Sequence, residues 1–356
     1  MRLLLILSLL LSLTNSSLAQ QSVLADNAQA YLDEAVSNGQ CVGIAAGIMT
    51  GDSLRWRGAT GMADREASIT YTPQTIGRTA SIAKPMTAVA ILQLVEQGKL
   101  QLDDKVAEHL PEFKEAHLAT ITVRHVLQHA AGFRGYGNSK ERNNEVNYPT
   151  FSAAMQVFIN DKLLFPPGKG YGYTTYGYTV LGALIEKTSG LDYEEYLRTM
   201  VWEPAGMVNT SVERFDSPTP GRYNIYHQKK PGKLQAVAFT HQSDRIPGGG
   251  IQSTVEDLLR FGRAVLNGTL VSTESLQLMT TDSGLKTEGN GYGMGGFLYA
   301  KDGAAFGHTG GQLGCSSFMI LVPSRKVVVA VMSNTSGRSN EVGRVLNGVL
   351  KEAMKE

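Results

Sequence analysis

Hydrophobic positions follow a strand-like pattern near both ends of the chain and a helix-like pattern in its middle. The segment 24–38 repeats its apolar residues on one helical face and is followed by a glycine, which predicts a helix that ends there. A run of small and β-branched residues at 41–49 predicts a buried strand, and 53–61 predicts its partner.

Helix signals dominate the middle of the chain. Apolar residues at helical spacing, most often ending before a glycine, predict helices over 81–98, 122–130, 151–160, 179–188 and 254–266. The tetrapeptide Ser253-Thr254-Val255-Glu256 has the pattern of a capping box and is expected to start the last of these helices. The segments 133–172 and 211–245 are polar, and only the first is expected to hold a helix.

The last third of the chain returns to strands. Its pattern predicts four short strands at 292–299, 305–310, 316–323 and 327–333 and a closing helix at 340–354. Strands at both ends with helices between them predict an α/β (α+β) fold, in which an antiparallel β-sheet is flanked by N- and C-terminal helices and carries an inserted all-helical lobe. The sheet lobe is expected to comprise about 20–85 and 245–356, and the helical lobe about 86–244.

The first 19 residues have the features of a secretory signal peptide. Arg2 precedes an apolar stretch at 3–13, and Ser17-Leu18-Ala19 forms a small-x-small cleavage site. The stretch is shorter than the ~20 residues that a bilayer requires, which argues against a membrane anchor. The sequence therefore predicts cleavage near Ala19 and Gln20 and export, most simply to the periplasm.

Composition and charge narrow the function. The chain of 356 residues has 42% hydrophobic and 18% charged residues and a formal net charge of +1, which is typical of a globular protein. Its largest basic cluster, Lys229, Lys230 and Lys233, is too small to indicate a nucleic acid or a membrane surface as partner. The cysteines Cys41 and Cys315 either pair or, as we expect, are two small buried residues.

The first chemical signal is Ser81-Ile82-Ala83-Lys84. Residues three apart on a helix share a face, so the Lys84 amine can reach the Ser81 hydroxyl. A serine becomes a strong nucleophile when a neighbour removes its proton, and burial lowers the pKa of a lysine so that it can do so. Pro85 indicates that Ser81 lies in the first turn. An ordinary helix start is the alternative, because this tetrad also arises by chance.

Two further segments point to the same chemistry. Aromatic residues and glycines crowd 165–178, where Tyr173 can act as a base if a nearby cation lowers its pKa. Gly307-His308-Thr309-Gly310-Gly311 precedes a predicted strand, and its backbone N–H groups can complete an oxyanion hole with the N–H of Ser81. Turn packing and a plain strand-to-turn passage are the respective alternatives.

The histidines give little sign of a metal. His125 and His129 lie four residues apart on a predicted helix, a spacing that can bind zinc. No third ligand of recognisable spacing joins them. We therefore expect neither a metal nor a cofactor.

The three signals, in this order and spacing, resemble the serine β-lactamase and penicillin-binding-protein superfamily. The likeness is strongest to the class C branch and its relatives, which include D-Ala-D-Ala carboxypeptidases, D-aminopeptidases, carboxylesterases and mitochondrial serine β-lactamase-like proteins. It covers most of 23–350 and is carried by GRTASIAKPMTAVAILQLVEQGKLQLDDKV, ITVRHVLQHAAGF, PPGKGYGYTTYGYTVLGALIEKTSG, GGGIQSTVEDLLRFGRAVLNG and GHTGG.

The resemblance implies a role for each matching residue. It implies Ser81 as nucleophile, Lys84 and Tyr173 as proton-handling partners, and an oxyanion hole formed by the N–H groups of Ser81 and Gly311. The remaining substrate-binding positions that it implies are Thr175, His308, Thr309 and Gly310.

Two positions depart from the family pattern. Thr175 stands where the family has an asparagine, and a hydroxyl has a shorter reach and fewer hydrogen-bonding groups than an amide. His308 stands where the family has a lysine, and a histidine is mostly neutral at pH 7. Recognition of a substrate carboxylate and depression of the Tyr173 pKa should both weaken.

The sequence therefore predicts an exported serine hydrolase that forms an acyl-enzyme on an amide or ester, as a peptidase, a D,D-carboxypeptidase or an esterase, with weak or no β-lactamase activity. A true class C-like β-lactamase is one alternative. A non-catalytic penicillin-binding sensor or a self-assembling structural protein is another. The expected partner is a small-molecule or peptide substrate, and no sequence feature predicts the oligomeric state.

Overall fold

The computed structural model describes residues 22–143, 145–230, 232–287, 289–299 and 304–355. The predicted signal peptide lies outside these ranges. Within them, none of the helices has the length and apolar character needed to cross a membrane.

Most strands belong to one antiparallel sheet. The strands are β1 Gly43–Thr50, β2 Ser53–Asp64, β3 Ile69–Thr70, β4 Gly77–Arg78, β5 Ser211–Val212, β6 Tyr226–Lys230, β7 Lys233–Ala236, β8 Ile251–Ser253, β9 Phe297–Leu298, β10 Phe306–Gln312, β11 Cys315–Val322 and β12 Val327–Ser333. Seven of them form the main sheet in the order β3-β2-β1-β12-β11-β10-β9, and all of its neighbouring pairs are antiparallel. A smaller sheet has the order β4-β8-β5, and β6 and β7 form a hairpin.

The two ends of the chain meet at the centre of the main sheet. β1 pairs with β12 from Ile44 opposite Ser333 to Thr50 opposite Val327. Both strands are almost completely buried, and β12 is rich in valine, as expected of a strand that is covered on both faces. The chain is thus closed by a pairing between residues almost 300 positions apart in sequence.

Helices connect and cover the strands. They are α1 22–37, α2 Ala83–Glu96, α3 Val106–His109, α4 Val123–Leu127, α5 Ser139–Arg142, α6 Phe151–Met155, α7 Tyr176–Ser189, α8 Tyr193–Leu197, α9 Glu203–Ala205, α10 Ile246–Gly249, α11 Val255–Leu266, α12 Thr273–Thr280 and α13 Ser339–Ala353. Shorter turns are the 3₁₀ helices Ala80–Ile82, Pro111–Lys114 and Pro323–Arg325 and the π-helical segment Arg198–Trp202.

The sheet separates two hydrophobic cores. Successive residues of a strand point to opposite faces, so Ile44 and Ala46 join the core under α1 and α13, whereas Ala45 joins the core on the other face. The core that contains Ala45 continues into the helical region, where α2 is buried along most of its length. A helix that is apolar on all sides lies in the interior of a protein, and α2 is such a helix.

The structure confirms the predicted fold class: an antiparallel sheet with terminal helices and inserted helices. The division into two lobes at about 86 and 244 stays a prediction. Both cysteines, Cys41 and Cys315, are buried and free.

Several local expectations were wrong. Thr254, not Ser253, caps α11, and its side chain accepts from Asp257 N–H because the chain is still in β8 at Ser253. Only Phe297–Leu298 of the predicted strand 292–299 pairs with β10. The β6–β7 hairpin and α12 had no strong sequence signal, since the first is polar and the second is short.

Candidate active site

Ser81 lies in the 3₁₀ turn Ala80–Ile82, which leads directly into α2. Ala80 has a φ of +48°, in the left-handed region that residues with a Cβ rarely adopt. Such a conformation persists only where the surroundings hold it. Here both the N–H and the Oγ1 of Thr79 donate to the carbonyl of Ile251, at 3.0 and 2.8 Å. The turn thus presents Ser81 at the N-terminus of α2, where the helix dipole favours negative charge.

Lys84 follows one turn later with its side chain fully buried. Its Nζ lies 3.1 Å from Ser81 Oγ, donates to the carbonyl of Gly248 at 2.7 Å, and lies 3.5 Å from Thr175 Oγ1. Burial lowers the pKa of Lys84 well below its ordinary value, and the nearby charge of Arg245 lowers it further. The amine next to Ser81 is therefore poised to be neutral.

Tyr173 contacts Ser81 from the segment that precedes α7. Its hydroxyl donates to Ser81 Oγ at 2.9 Å, while its ring packs 4.5 Å from that of His129 and stacks on Phe297 at 6.1 Å. Although 37% of Tyr173 is exposed, the loss of water around its side chain raises the pKa of the Tyr173 hydroxyl well above its ordinary value. Lys84 Nζ lies 5.0 Å from the ring centroid but does not offset this effect. A lowered pKa was the condition for Tyr173 to act as a base, and the raised pKa does not meet it; the proton-handling role of Tyr173 stays a prediction.

Thr175 takes the place of the family asparagine at the start of α7, and it is buried. A Cβ on Gly248 would lie 2.6 Å from Thr175 Cγ2, so the absence of a side chain lets α10 pack against this threonine. This close approach places the Gly248 carbonyl next to Lys84. The lysine therefore donates its shorter hydrogen bond, 2.7 Å, to that carbonyl, and its contact with the Thr175 hydroxyl is longer, 3.5 Å.

His308 on β10 is buried and uncharged. Its Nδ1–H donates to the carbonyl of Thr309 at 2.6 Å, and its Nε2 lies 3.4 Å from the Tyr292 hydroxyl. Burial is the main reason that the pKa of His308 falls to about 3. The position where the family has a lysine therefore carries no positive charge at neutral pH.

The other β10 residues form the edge of the sheet beside Ser81. β10 pairs with β9 only at Phe306 and Gly307, which leaves its later residues without a partner strand on that side within the described residues. A Cβ on Gly310 would lie 2.4 Å from the carbonyl oxygen of Thr79, so glycine allows the strand to lie against the turn that precedes Ser81. Gly311, the next residue, lines the same cavity as Ser81.

Tyr173 lines two cavities. The larger, about 730 Å³, is lined by Ser81, Gly135, Tyr136, Arg142, Asn143, Tyr173, Thr174, Thr175, His227, Arg245, Gly248, Gly249, Gly311, Gln312, Leu313, Ser336, Gly337 and Ser339. The smaller, about 340 Å³, is lined by Tyr171, Tyr173, Thr287, Gly289, Asn290, Phe297, Tyr299 and Thr309. Ser81 lines the larger cavity, and four of the eight residues that line the smaller one are aromatic.

The histidines considered for zinc serve packing and capping. His125 Nδ1 accepts from the N–H of Thr122, which completes the N-terminal cap of α4. His129 is buried, and its Nδ1 accepts from the N–H of Thr174 at 3.3 Å. Throughout the described ranges, no group of three or more His, Cys, Asp or Glu side chains is arranged to hold a metal ion.

The structure brings Ser81, Lys84, Tyr173 and Thr175 together, and it places β10 beside them. Sequence reasoning missed the Gly248 carbonyl and Arg245. The three successive glycines at 248–250 were the available signal for a close backbone approach. Sequence reasoning also missed Gln312, whose Nε2 is buried without a partner among the described residues.

Comparison with known proteins agrees with this geometry. The beta-lactamase family model matches residues 27–350. Human mitochondrial serine beta-lactamase-like protein LACTB is 26% identical over 82% of this chain and 73% of its own length. Penicillin-binding protein 4* of Bacillus subtilis is 30% identical over 72% of this chain and 60% of its own. Esterase EstB of Burkholderia gladioli is 29% identical over 76% of this chain and 79% of its own.

Solved structures share the architecture. The octameric penicillin-binding protein homologue from Pyrococcus abyssi superposes with a TM-score of 0.81 and 26% identity, covering 92% of this chain and 77% of that one. The D-amino acid amidase from Ochrobactrum anthropi SV3 has a TM-score of 0.82 at 21% identity, over 93% of this chain and 99% of that one. The second likeness is one of fold.

The family match spans most of the first and last helices and all of the serine turn, the tyrosine segment and β10, so it includes each part of the site described above. The chain belongs to the beta-lactamase family and is a serine hydrolase.

Proposed function

We propose that this protein is an exported hydrolase that transfers the acyl group of an amide or ester to water through a covalent intermediate on Ser81. The observation that carries the proposal is the convergence of two proton-handling groups on one hydroxyl. Lys84 Nζ lies 3.1 Å and Tyr173 Oη 2.9 Å from Ser81 Oγ. A serine between a base and a second hydroxyl has the arrangement of an activated nucleophile.

The surroundings of Lys84 favour a neutral amine with its lone pair directed at Ser81. A neutral amine has two N–H donors and one lone pair. The Gly248 carbonyl and the Thr175 hydroxyl supply two partners for the donors, at 2.7 and 3.5 Å. The remaining direction is that of Ser81. Because the pKa of Lys84 is lowered and that of Tyr173 is raised, Lys84 is the base and Tyr173 stays protonated.

Acylation then proceeds with a balanced transfer of one proton. Ser81 Oγ bonds to the substrate carbonyl carbon while its proton passes to Lys84 Nζ, and the carbonyl π electrons move to oxygen. When the carbonyl re-forms, the bond to the leaving group breaks. The leaving group takes the Tyr173 proton, and the Lys84 ammonium restores it. The products are the acyl-enzyme, the protonated leaving group and a neutral Lys84.

Deacylation repeats these steps with water as nucleophile. Water gives a proton to Lys84 as its oxygen bonds to the acyl carbon. Ser81 Oγ then leaves and takes a proton through Tyr173, which regenerates the free enzyme. In both halves the N–H groups of Ser81 and Gly311 bind the tetrahedral oxyanion, and the loss of one such donor typically costs about 3 kcal/mol.

The uncharged His308 supports an amide or ester over a β-lactam as substrate. β-Lactams and peptide stems present a carboxylate, and the buried imidazole offers it no positive charge. Two similar proteins are named for such activities, an esterase and a D-amino acid amidase. A self-assembling role is a second candidate, because a similar structure is an octameric penicillin-binding protein homologue.

Export is the remaining part of the proposal, and it is supported by Arg2, the apolar stretch 3–13 and the site at Ala19. Expression of the full chain in a host with a secretory pathway should yield protein outside the cytoplasm whose first residue lies near Gln20. Uncleaved cytoplasmic protein would contradict export without affecting the catalytic proposal.

A substrate panel tests the activity. Wild type and Ser81→Ala are each assayed with p-nitrophenyl acetate, D-phenylalanine amide and nitrocefin. We expect turnover of the ester or the amide by wild type alone, with nitrocefin the slowest. Fastest turnover of nitrocefin would favour the β-lactamase alternative, and a stable nitrocefin adduct without turnover would favour a sensor.

A further inference from the structure

The larger cavity beside Ser81 is positively charged. Among its lining residues, the side chains with a permanent charge are Arg142 and Arg245, and within the described part of the chain no aspartate or glutamate lines it. His227 also lines it and is hydrogen-bonded through Nδ1 to Ser336 Oγ at 2.8 Å. A cleft lined by one sign of charge concentrates ligands of the opposite sign.

Arg245 does not offer its charge freely to a ligand. It is buried, and its Nε and Nη2 both donate to the carboxylate of Asp244, at 2.9 and 3.1 Å. Its Nη1 donates to the backbone carbonyl of Arg142 at 2.6 Å, and its Nη2 also donates to that of Glu141 at 2.8 Å. The residue therefore holds the end of α5 in place at the cavity wall.

Arg142 is the guanidinium that remains available. It is the last residue of α5 and is exposed, and among the described residues no carboxylate lies within ion-pairing distance of its side chain. The backbone on its N-terminal side is fixed, because Glu141 is held by Arg134 and by the N–H of Gly137. A charged side chain on an anchored backbone at the rim of a cleft is suited to bind an anion.

The arrangement around Tyr173 indicates which part of a substrate meets Arg142. Ser81 and Gly311, which hold the reacting carbonyl, line the larger cavity together with Arg142. The leaving group must reach the Tyr173 hydroxyl, and Tyr173 also lines the smaller cavity, half of whose lining residues are aromatic. The acyl part of the substrate therefore lies toward Arg142.

We infer that Arg142 binds an anionic group on the acyl part of the substrate, so that the preferred substrates are esters or amides of dicarboxylic acids or acidic residues with an uncharged leaving group. The inference rests on the proposed function and specifies its substrate class. It places the substrate charge on the acyl side, whereas the β10 position occupied by His308 contributes none.

Two p-nitrophenyl esters with the same leaving group and a five-carbon acyl chain test the inference. One is the mono-glutarate, which carries a terminal carboxylate, and the other is the valerate, which does not. We expect wild type to have a kcat/KM for the glutarate about tenfold above that for the valerate, as for a charge-assisted hydrogen bond. Arg142→Gln should reduce this ratio to about one, Arg142→Lys should retain most of it, and Arg142→Glu should invert it.

The ratio does not depend on the amount of folded enzyme, so a poorly folding variant still gives a result. Arg325→Gln is the matched control, because Arg325 is exposed just before β12 and is not among the residues that line the larger cavity. Its ratio should equal that of wild type. A wild-type ratio of one or less, or a ratio unchanged in Arg142→Gln, would overturn the inference while the proposed function stands. Hydrolysis of neither ester above the Ser81→Ala rate would overturn the proposed function and the inference with it.

Discussion

Replacing Lys84 by methionine removes a titrating group from the core, and the consequence for stability can be worked out from the structure. Burial, assisted by Arg245, lowers the pKa of Lys84 in the folded protein well below its ordinary value. In the unfolded chain the same amine has a pKa of about 10.4. Between these two values the unfolded chain binds one proton more than the folded protein. The contribution of Lys84 to stability therefore rises with pH in this window and is lost as pH falls toward the lowered pKa.

The slope has a definite size. One proton of difference changes the free energy of unfolding by about 1.4 kcal/mol per pH unit. Methionine is unbranched, of similar length and without a proton to release. Other groups titrate in both proteins and cancel in the difference. The free energy of unfolding of wild type minus that of Lys84→Met should thus climb by about 1.4 kcal/mol per unit through the window and be level below it.

Urea unfolding at steps of about one pH unit, from about pH 7 to pH 10, measures this difference. Lys99→Met is the control, because Lys99 is exposed just after α2. We expect the difference between wild type and the control to stay level with pH. A level difference for Lys84→Met over the same range would mean that Lys84 stays charged in the folded protein, and it would refute the assignment of a neutral base.

Three further predictions follow from the geometry of the site. The value of kcat/KM should rise with pH as Lys84 loses its proton, at a pH well below the pKa of an ordinary lysine. It should not fall again by about pH 10, because the pKa of Tyr173 is raised. A bell-shaped profile centred near neutrality would contradict this. Tyr173→Phe should keep the fold, as judged by circular dichroism, and lower kcat by a factor of about 10² to 10⁴, because the leaving group loses its proton donor; near-normal turnover would remove Tyr173 from the mechanism. Gly248→Ala should lower kcat more than it raises KM, because the new Cβ would lie 2.6 Å from Thr175 Cγ2 and displace the carbonyl that holds Lys84. Gly343→Ala in α13 is the control for a glycine replacement, because its Cβ would make only an ordinary contact, 3.9 Å from Phe318 Cε2. Equal kinetics for Gly248→Ala and wild type would show that the carbonyl is not needed.

Most of the fold follows from local patterns in the sequence. Period-two alternation and β-branched runs located β1, β2, β11 and β12, and a long apolar run located α2, because burial imposes these patterns. The boundaries were less certain where two signals adjoin. Ser253 and Thr254 are both good caps, and only the pairing of Ser253 with Gly77 in β8 decides between them.

The site likewise has some residues that local sequence patterns predict and others that they do not. The spacing of Ser81 and Lys84 on one helix placed them together, because residues three apart share a face. The carbonyl of Gly248 and the charge of Arg245 come from a segment about 160 positions further along, and no local pattern predicts that approach. The direction of the pKa shifts of Lys84 and Tyr173 depends on burial in the assembled fold, so the sequence could not decide which of these two predicted proton-handling residues is the base.

The central claim is that Ser81 is the activated nucleophile. Intact mass spectrometry of the mature protein after incubation with a fluorophosphonate tests it directly, with wild type, Ser81→Ala and Lys84→Met side by side. The account predicts one covalent adduct on wild type, mapped to the peptide that contains Ser81, with no adduct on Ser81→Ala and much slower labelling of Lys84→Met. Labelling of Ser81→Ala at the wild-type rate, or no labelling of wild type, would contradict it.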